Sequence, residues 1–213
     1  MLGEEGAMDV VRSEGPEGRE TGGRWGWQTR DLIVAAAIAV PLGLLWSVVW
    51  GQVWLFARGI VPELGLLVAG FYIAGGVLVG YVIRKPGAAL LGEMIGALIE
   101  VPLTPFGPVA LWLGLLQGLG VEAVFAATRY RNFGLPVLLL AGAAGALFVF
   151  VGYEYVVFGY GSLAVGVQIL RFGVRLVGGA LFAGLASKLI GDALVRTGVL
   201  NNFPIARDRV REI

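Results

Sequence analysis

The chain has 213 residues, of which 57% are hydrophobic and only 15% charged, and its mean hydropathy is +0.82. Soluble domains carry about 25% charged residues, so this composition, spread over several long apolar runs, implies several membrane spans and excludes an ordinary soluble domain. A net charge of +1 points to no nucleic-acid partner, and the absence of Cys and His removes disulfides, thiol nucleophiles, imidazole bases and most zinc and haem sites.

Residues 1–28 are rich in Gly, Glu and Arg with almost no apolar clustering, which reads as a disordered cytoplasmic tail; an interaction tail is the other reading. The first apolar run starts near residue 32 and is too long for the core of a secretory signal. Six spans are expected, at about Asp31–Phe56, Leu64–Ile83, Ala88–Val101, Gly107–Thr128, Leu135–Phe158 and Leu163–Val195. The first holds Pro41, which removes a backbone donor and is a candidate kink. The third is short for a bilayer that needs about 20 residues, unless it starts at Lys85 with Pro86 at its first helical position. The expected organisation is therefore a tail (1–28), a six-helix transmembrane domain (29–197) and a cytoplasmic C-terminal tail (198–213).

Basic residues set the expected orientation. Arg12, Arg19, Arg24 and Arg30 precede the first span, Arg84 and Lys85 follow the second, and Arg129 and Arg131 follow the fourth. Lys188, Arg196, Arg207, Arg209 and Arg211 close the chain. Thirteen of the sixteen basic residues thus fall on one side, which puts both termini in the cytoplasm. Arg58, Arg171 and Arg175 belong to the opposite side, where the loops are rich in Gly and Pro. Those loops read either as a lid or as tight turns.

Four glutamates interrupt the apolar runs: Glu93, Glu100, Glu122 and Glu154. An acidic residue at the centre of a membrane helix costs about 2.5–3.5 kcal/mol on insertion scales, so each must face a polar interior with a partner or a ligand. Glu93 and Glu100 are seven residues apart and share one helix face, about 12 and 22 Å from the cytoplasmic end at 1.5 Å per residue. Either can bind a protonated or amine-bearing ligand through charge-assisted hydrogen bonds, or bond to a neighbouring helix. Trp46, Trp50 and Trp54 recur every four residues, and Trp112 lies at the same depth. They form either an interfacial aromatic belt or a stacking wall for a flat heterocycle. Trp46 and Trp112, deeper in the bundle, are favoured over Trp54. Gln117 and Tyr153 are further candidate ligand contacts. Glu122 is assigned to a structural ion pair with Arg129, Arg84 or Lys85, and Glu154 to a pair with Arg171. Ala35 and Ala39 have the small-xxx-small spacing of a close helix contact, with a partner or within the chain. No G-x-x-x-x-G-K-[ST] occurs, so the chain has no phosphate-binding loop of its own, and no G-x-S-x-G or H-E-x-x-H supports an enzyme.

The segment Arg84-Lys85-Pro86-Gly87-Ala88-Ala89-Leu90-Leu91-Gly92-Glu93, then Glu100, then Gln117-Gly118-Leu119-Gly120-Val121-Glu122-Ala123-Val124-Phe125-Ala126 and Arg129-Tyr130-Arg131, resembles the YkoE family. The stretch Arg196-Thr197-Gly198-Val199-Leu200-Asn201 is also similar, and the resemblance covers most of residues 30–207. It implies an all-α membrane protein: a six-transmembrane-helix bundle of the type found in S components, the substrate-binding subunits of energy-coupling-factor (ECF) transporters. In a prokaryotic plasma membrane such a subunit captures a vitamin from outside, for this family thiamine or its hydroxymethylpyrimidine precursor. The implied partners are a transmembrane coupling subunit, docked through small residues of the first helix such as Ala35 and Ala39, and two cytoplasmic ATPases. No cofactor is implied. Glu100, Glu93, Trp46, Trp50, Trp112, Gln117 and Tyr153 are the expected ligand contacts. Three rivals remain from the residues alone: a proton-coupled secondary transporter using Glu93 or Glu122, a ligand-free structural subunit and, weakest, an intramembrane enzyme.

Overall fold

A computed structural model describes residues 26–209; residues 1–25, which make up most of the expected N-terminal tail, lie outside the described part. Six long helical segments run back and forth: α1 Thr29–Ile60, α2 Pro62–Ile83, α3 Ala88–Leu103, α4 Val109–Ala127, α5 Leu135–Val157 and α6 Val165–Arg196. A short α7, Pro204–Arg209, follows. Five of the six are long and apolar enough to cross a bilayer. The exception is α3, whose 16 residues span about 24 Å against a hydrocarbon core of about 30 Å. The protein is an all-helical, multi-pass plasma-membrane protein.

The turn into α3 explains its late start. Arg84 adopts a left-handed conformation (φ 58°) that ends α2, and Gly87 (φ 83°) is the residue before the first turn of α3. Pro86 therefore lies in the turn, and the helix begins at Ala88, not at Lys85. At the other end α3 continues through Pro102 to Leu103, beyond the expected stop at Val101.

At the centre stands α2, in which every residue from Ala74 to Ile83 is buried. α3 packs against α1, α2 and α4, and α5 bridges α4 and α6. Small residues let backbones touch. A Cβ on Gly142 of α5 would overlap the Gly179 carbonyl of α6, so the two helices meet there with no side chain between them. Ala35 and Ala39 are fully buried within the core. Their spacing serves an internal contact of α1, and the expectation that they present a docking surface is corrected on that ground. Leu200, Phe203 and Ile205 are buried too, so the chain beyond residue 198 packs back onto the bundle as far as Ala206.

Four helices depart from regular α geometry. Turns widen to π-type at Trp46–Trp50 in α1, Phe150–Glu154 in α5 and Gly179–Leu185 in α6, and α2 tightens to a 3₁₀ turn at Ala69–Ile73. Such irregular turns are rare and concentrate at functional sites. Two of these wide turns, and the tightened one, border the same cavity.

Candidate functional site

The cavity lies toward the end of the bundle where α1 meets α2, α3 meets α4 and α5 meets α6. It encloses about 600 Å³ of unfilled space, part of it open to the outside. Five of the seven ligand contacts expected from sequence line it: Trp46, Glu93, Glu100, Gln117 and Tyr153.

Glu93 forms the inner wall. It is 1% exposed, and its Oε1 accepts the Gly76 N–H at 2.5 Å. Gly76 lies in the first turn of α-helix after the tightened segment of α2. Glu93 is thus tied to the scaffold through one oxygen. Glu100 lies two turns nearer the mouth and is largely buried, yet its carboxylate has no hydrogen-bond partner among the described residues. That contrast separates a carboxylate held by the fold from one left for something else.

Trp46 is 1% exposed, and its ring fills the space that Gly75 of α2 and Gly96 of α3 leave open. Its indole Nε1–H is buried without an acceptor. Buried donors are almost always satisfied, so an unsatisfied one lining a cavity points to a missing partner. Tyr72 lies 6.1 Å from the Trp46 ring and also borders the cavity. Nearer the mouth, Trp54 packs on Phe106, and Tyr153 meets Phe158 edge to face.

Two expected contacts lie elsewhere. Trp50 turns to α2 and α6, donating its Nε1–H to the Val68 carbonyl at 2.9 Å and packing on Phe71 and Phe182. The widened turn from Trp46 to Trp50 breaks the regular four-residue stripe, and Trp54 reaches the cavity in place of Trp50. Trp112 is 49% exposed on the outer side of α4, because the cavity face of that helix is Ala110, Leu113, Gly114 and Gln117. The preference for Trp112 over Trp54 is reversed: depth along a helix does not determine which face a residue occupies.

The ion pairs also differ from expectation. Glu154 pairs with Arg175 at 3.1 Å, while Arg171, one turn away, pairs with Glu63 at 3.3 Å. Arg175 is 2% exposed and lines the cavity with Glu154; its Nη1 and the Glu154 Oε2 have no hydrogen-bond partner. The wide turn at Phe150–Glu154 delivers Glu154 and Tyr153 to the same cavity. Glu122 is structural as expected, but its partners are backbone groups. It accepts from the N–H groups of Gly87, Ala89 and Leu90 at 2.6, 3.0 and 3.3 Å, and from the Tyr130 hydroxyl at 2.6 Å. It caps the positive end of α3. Burial and the adjacent Glu122 carboxylate push the Tyr130 phenol above its ordinary pKa.

Three carboxyl groups (Glu93, Glu100 and Glu154) thus face one guanidinium (Arg175) inside walls of Trp, Tyr and Phe. Among the described residues no group of three metal-ligating side chains is placed to hold an ion. The sequence signal that was missed is Tyr72 and Arg175. Tyr72 lies in an apolar stretch of α2, and Arg175 shares one face of α6 with Gln168 and Arg171, so only the packing of α2 and α6 against α1 and α5 shows where they point.

Residues 30–148 match the family described as ABC-type cobalt transport system, permease component. The chain is 36% identical over 185 residues to a protein of Bacillus subtilis (strain 168), covering 85% of this chain and 92% of that one, which bears the name "Putative HMP/thiamine permease protein YkoE". A solved structure, described as the crystal structure of an S-component of ECF transporter, superposes with a TM-score of 0.82. It is 34% identical and covers 87% of this chain and 94% of that one. With the bundle, the cavity and these likenesses together, the chain belongs to the YkoE family of ECF-transporter S components.

Proposed function

We propose that the protein captures thiamine, or the hydroxymethylpyrimidine half of it, from the extracytoplasmic side for uptake driven by partner subunits. The observation that carries this reading is the cavity itself, in which an excess of carboxyl groups is enclosed by aromatic rings. A thiazolium is a flat cation, suited to Trp and Tyr faces and to an unpartnered carboxylate. An aminopyrimidine offers a ring nitrogen and an exocyclic amine, suited to Glu100 and to the Gln117 amide. The name of the Bacillus relative supports the same ligand class. Both termini are taken as cytoplasmic, with the cavity mouth outside, in keeping with the distribution of Lys and Arg. The chain itself has no phosphate-binding loop, so ATP hydrolysis falls to two ATPase subunits working through a transmembrane coupling subunit. The proton-coupled alternative draws no support from Glu122, whose oxygens are occupied in capping α3.

The test is a titration of the purified protein with thiamine, hydroxymethylpyrimidine and riboflavin, followed by tryptophan fluorescence. Quenching by thiamine or the pyrimidine at submicromolar concentration, with none by riboflavin, is the expected result. A folded protein that responds to none of the three overturns the ligand assignment.

A further inference from the structure

A second cavity, of about 810 Å³ including its open part, lies beside the first at the mouth of the bundle. The two share Trp54 and Phe158, so those rings form both the roof of the inner cavity and the floor of the outer one. Their chemistry is opposite. The inner cavity holds Glu93, Glu100 and Glu154 against Arg175. The outer one is lined by Arg58, Arg171 and Tyr160 and has no carboxylate among its lining residues.

Arg58 has no carboxylate partner among the described residues. Its guanidinium lies over the Trp54 ring, 4.6 Å from the ring centre. Arg171 lies 4.8 Å from the Tyr160 ring and is steadied by Glu63, which itself is not in the cavity wall. Tyr160 lines the cavity with both arginines. Its phenol is pushed up mainly by burial and by Glu154, while the positive charges of Arg171, Arg175 and Arg58 act in the opposite sense. Two guanidiniums thus converge on one opening, one of them uncompensated, directly above a cavity with an acidic surplus. Arginine's fixed fork of donors suits the oxygens of a phosphate.

We propose that the outer cavity is an anion subsite, and that the protein also captures a phosphate ester of its heterocyclic ligand, with the ring system in the inner cavity and the phosphate at Arg58 and Arg171. The inference rests on the ligand reading of the inner cavity. A molecule with a cationic ring and an anionic tail matches both cavities in the order in which the structure stacks them, with its linker passing between Trp54 and Phe158.

The experiment compares thiamine, thiamine monophosphate and inorganic pyrophosphate as ligands of the purified full-length protein and of Arg58→Gln. Arg58 is exposed and has no ion pair to lose, so the substitution leaves the fold intact. The unaltered protein is expected to bind the monophosphate at least as tightly as thiamine. Arg58→Gln should weaken the monophosphate at least tenfold and shift thiamine less than twofold, with Arg58→Lys recovering part of the loss. Raising the salt concentration should weaken the monophosphate selectively. A monophosphate bound a hundredfold more weakly than thiamine, or an Arg58→Gln effect equal on both ligands, overturns the proposal. So does an Arg58-dependent response seen only when phosphatidylglycerol is added, which would assign the arginine to lipid. If neither thiamine nor its ester binds but pyrophosphate still perturbs tryptophan fluorescence through Arg58, the anion subsite stands and the thiamine reading falls. No Arg58-dependent response to any phosphate removes the subsite.

Discussion

The two ends of the bundle use the same side chains to opposite effect. At the end where α2 turns into α3 and α4 into α5, the acidic groups Asp31, Glu122 and Asp192 are each satisfied among the described residues. Asp31, 2% exposed, takes Lys85 at 2.6 Å and the Gln28 N–H at 2.8 Å; Glu122 takes three backbone donors and a phenol; Asp192 takes Lys188 and the Tyr81 hydroxyl. Rings close the same end, with Arg84 over Phe133 and Phe133 against Phe125. At the other end Glu100 lacks a partner, Glu154 and Arg175 are only half satisfied, and the Trp46 indole donor is orphaned. A buried polar group left unsatisfied costs about 1–3 kcal/mol. The cost concentrated at one end, and avoided at the other, is what distinguishes a binding site from a plug. Substitutions that interfere with folding should act at the satisfied end or at helix contacts, and those that interfere with binding should act at the unsatisfied one.

The largest effect belongs to neither end but to the contact that holds both in register. Gly142→Leu forces a side chain into the Gly179 backbone, and helix packing has no slack there. Loss of a monodisperse folded protein on size exclusion in detergent is expected. Survival of the variant with normal thermal stability would show that α5 and α6 can separate.

Glu122→Ala comes next. It removes the acceptor for three backbone N–H groups and the Tyr130 hydroxyl, and bonds to charged groups contribute about 1.5–3 kcal/mol each before relaxation and water replace part of the loss. A stability loss of about 3 kcal/mol is expected, read as a lower melting temperature, with ligand affinity unchanged at temperatures where the protein is folded. If affinity falls in step with stability, the two ends are coupled and the division drawn above fails.

The sequence made the fold legible because hydrophobic runs and glutamates are one-dimensional signals. Six spans, with bounds mostly within a few residues of the observed helices, follow from hydropathy and from Pro and Gly at turns. Glu93, Glu100 and Gln117 were legible as cavity-lining residues because a polar group inside an apolar run has to face the interior. What a single sequence does not carry is azimuth. Periodicity ranked Trp50 with Trp46, and depth ranked Trp112 with it, but a widened turn displaced Trp50 and the cavity face of α4 excluded Trp112. Arg171 and Arg175 are one turn apart, and only the packing of α6 against α5 decides which meets Glu154. Ala35 and Ala39 carry a spacing that fits inward and outward contacts equally well, and burial decides between them.

Glu100→Gln tests the unsatisfied end directly. The substitution keeps shape and volume and removes only charge, so its cost is the charge-assisted part of the contact. At least tenfold weaker thiamine binding is expected, about 1.4 kcal/mol, with the melting temperature of the free protein unchanged or raised, since a buried unpaired carboxylate is removed. Unchanged affinity in a folded variant would take Glu100 out of the site and shift the acidic role to Glu154.

Trp112→Phe is expected to do least, and for that reason it sharpens the comparison most finely. Trp112 is half exposed on the outer face of α4, while Trp46 and Trp54 line the cavity. Ligand-induced quenching should therefore come from Trp46 and Trp54. The Trp112→Phe protein should lose part of its baseline emission, keep its affinity within twofold and show a larger fractional quench, because a silent fluorophore has been removed. In contrast, Trp54→Phe should reduce the quench itself. If Trp112→Phe abolished the ligand response instead, Trp112 would have to reach the ligand, which the observed rotation of α4 does not allow, and the cavity face of that helix would have to include the side now turned to lipid.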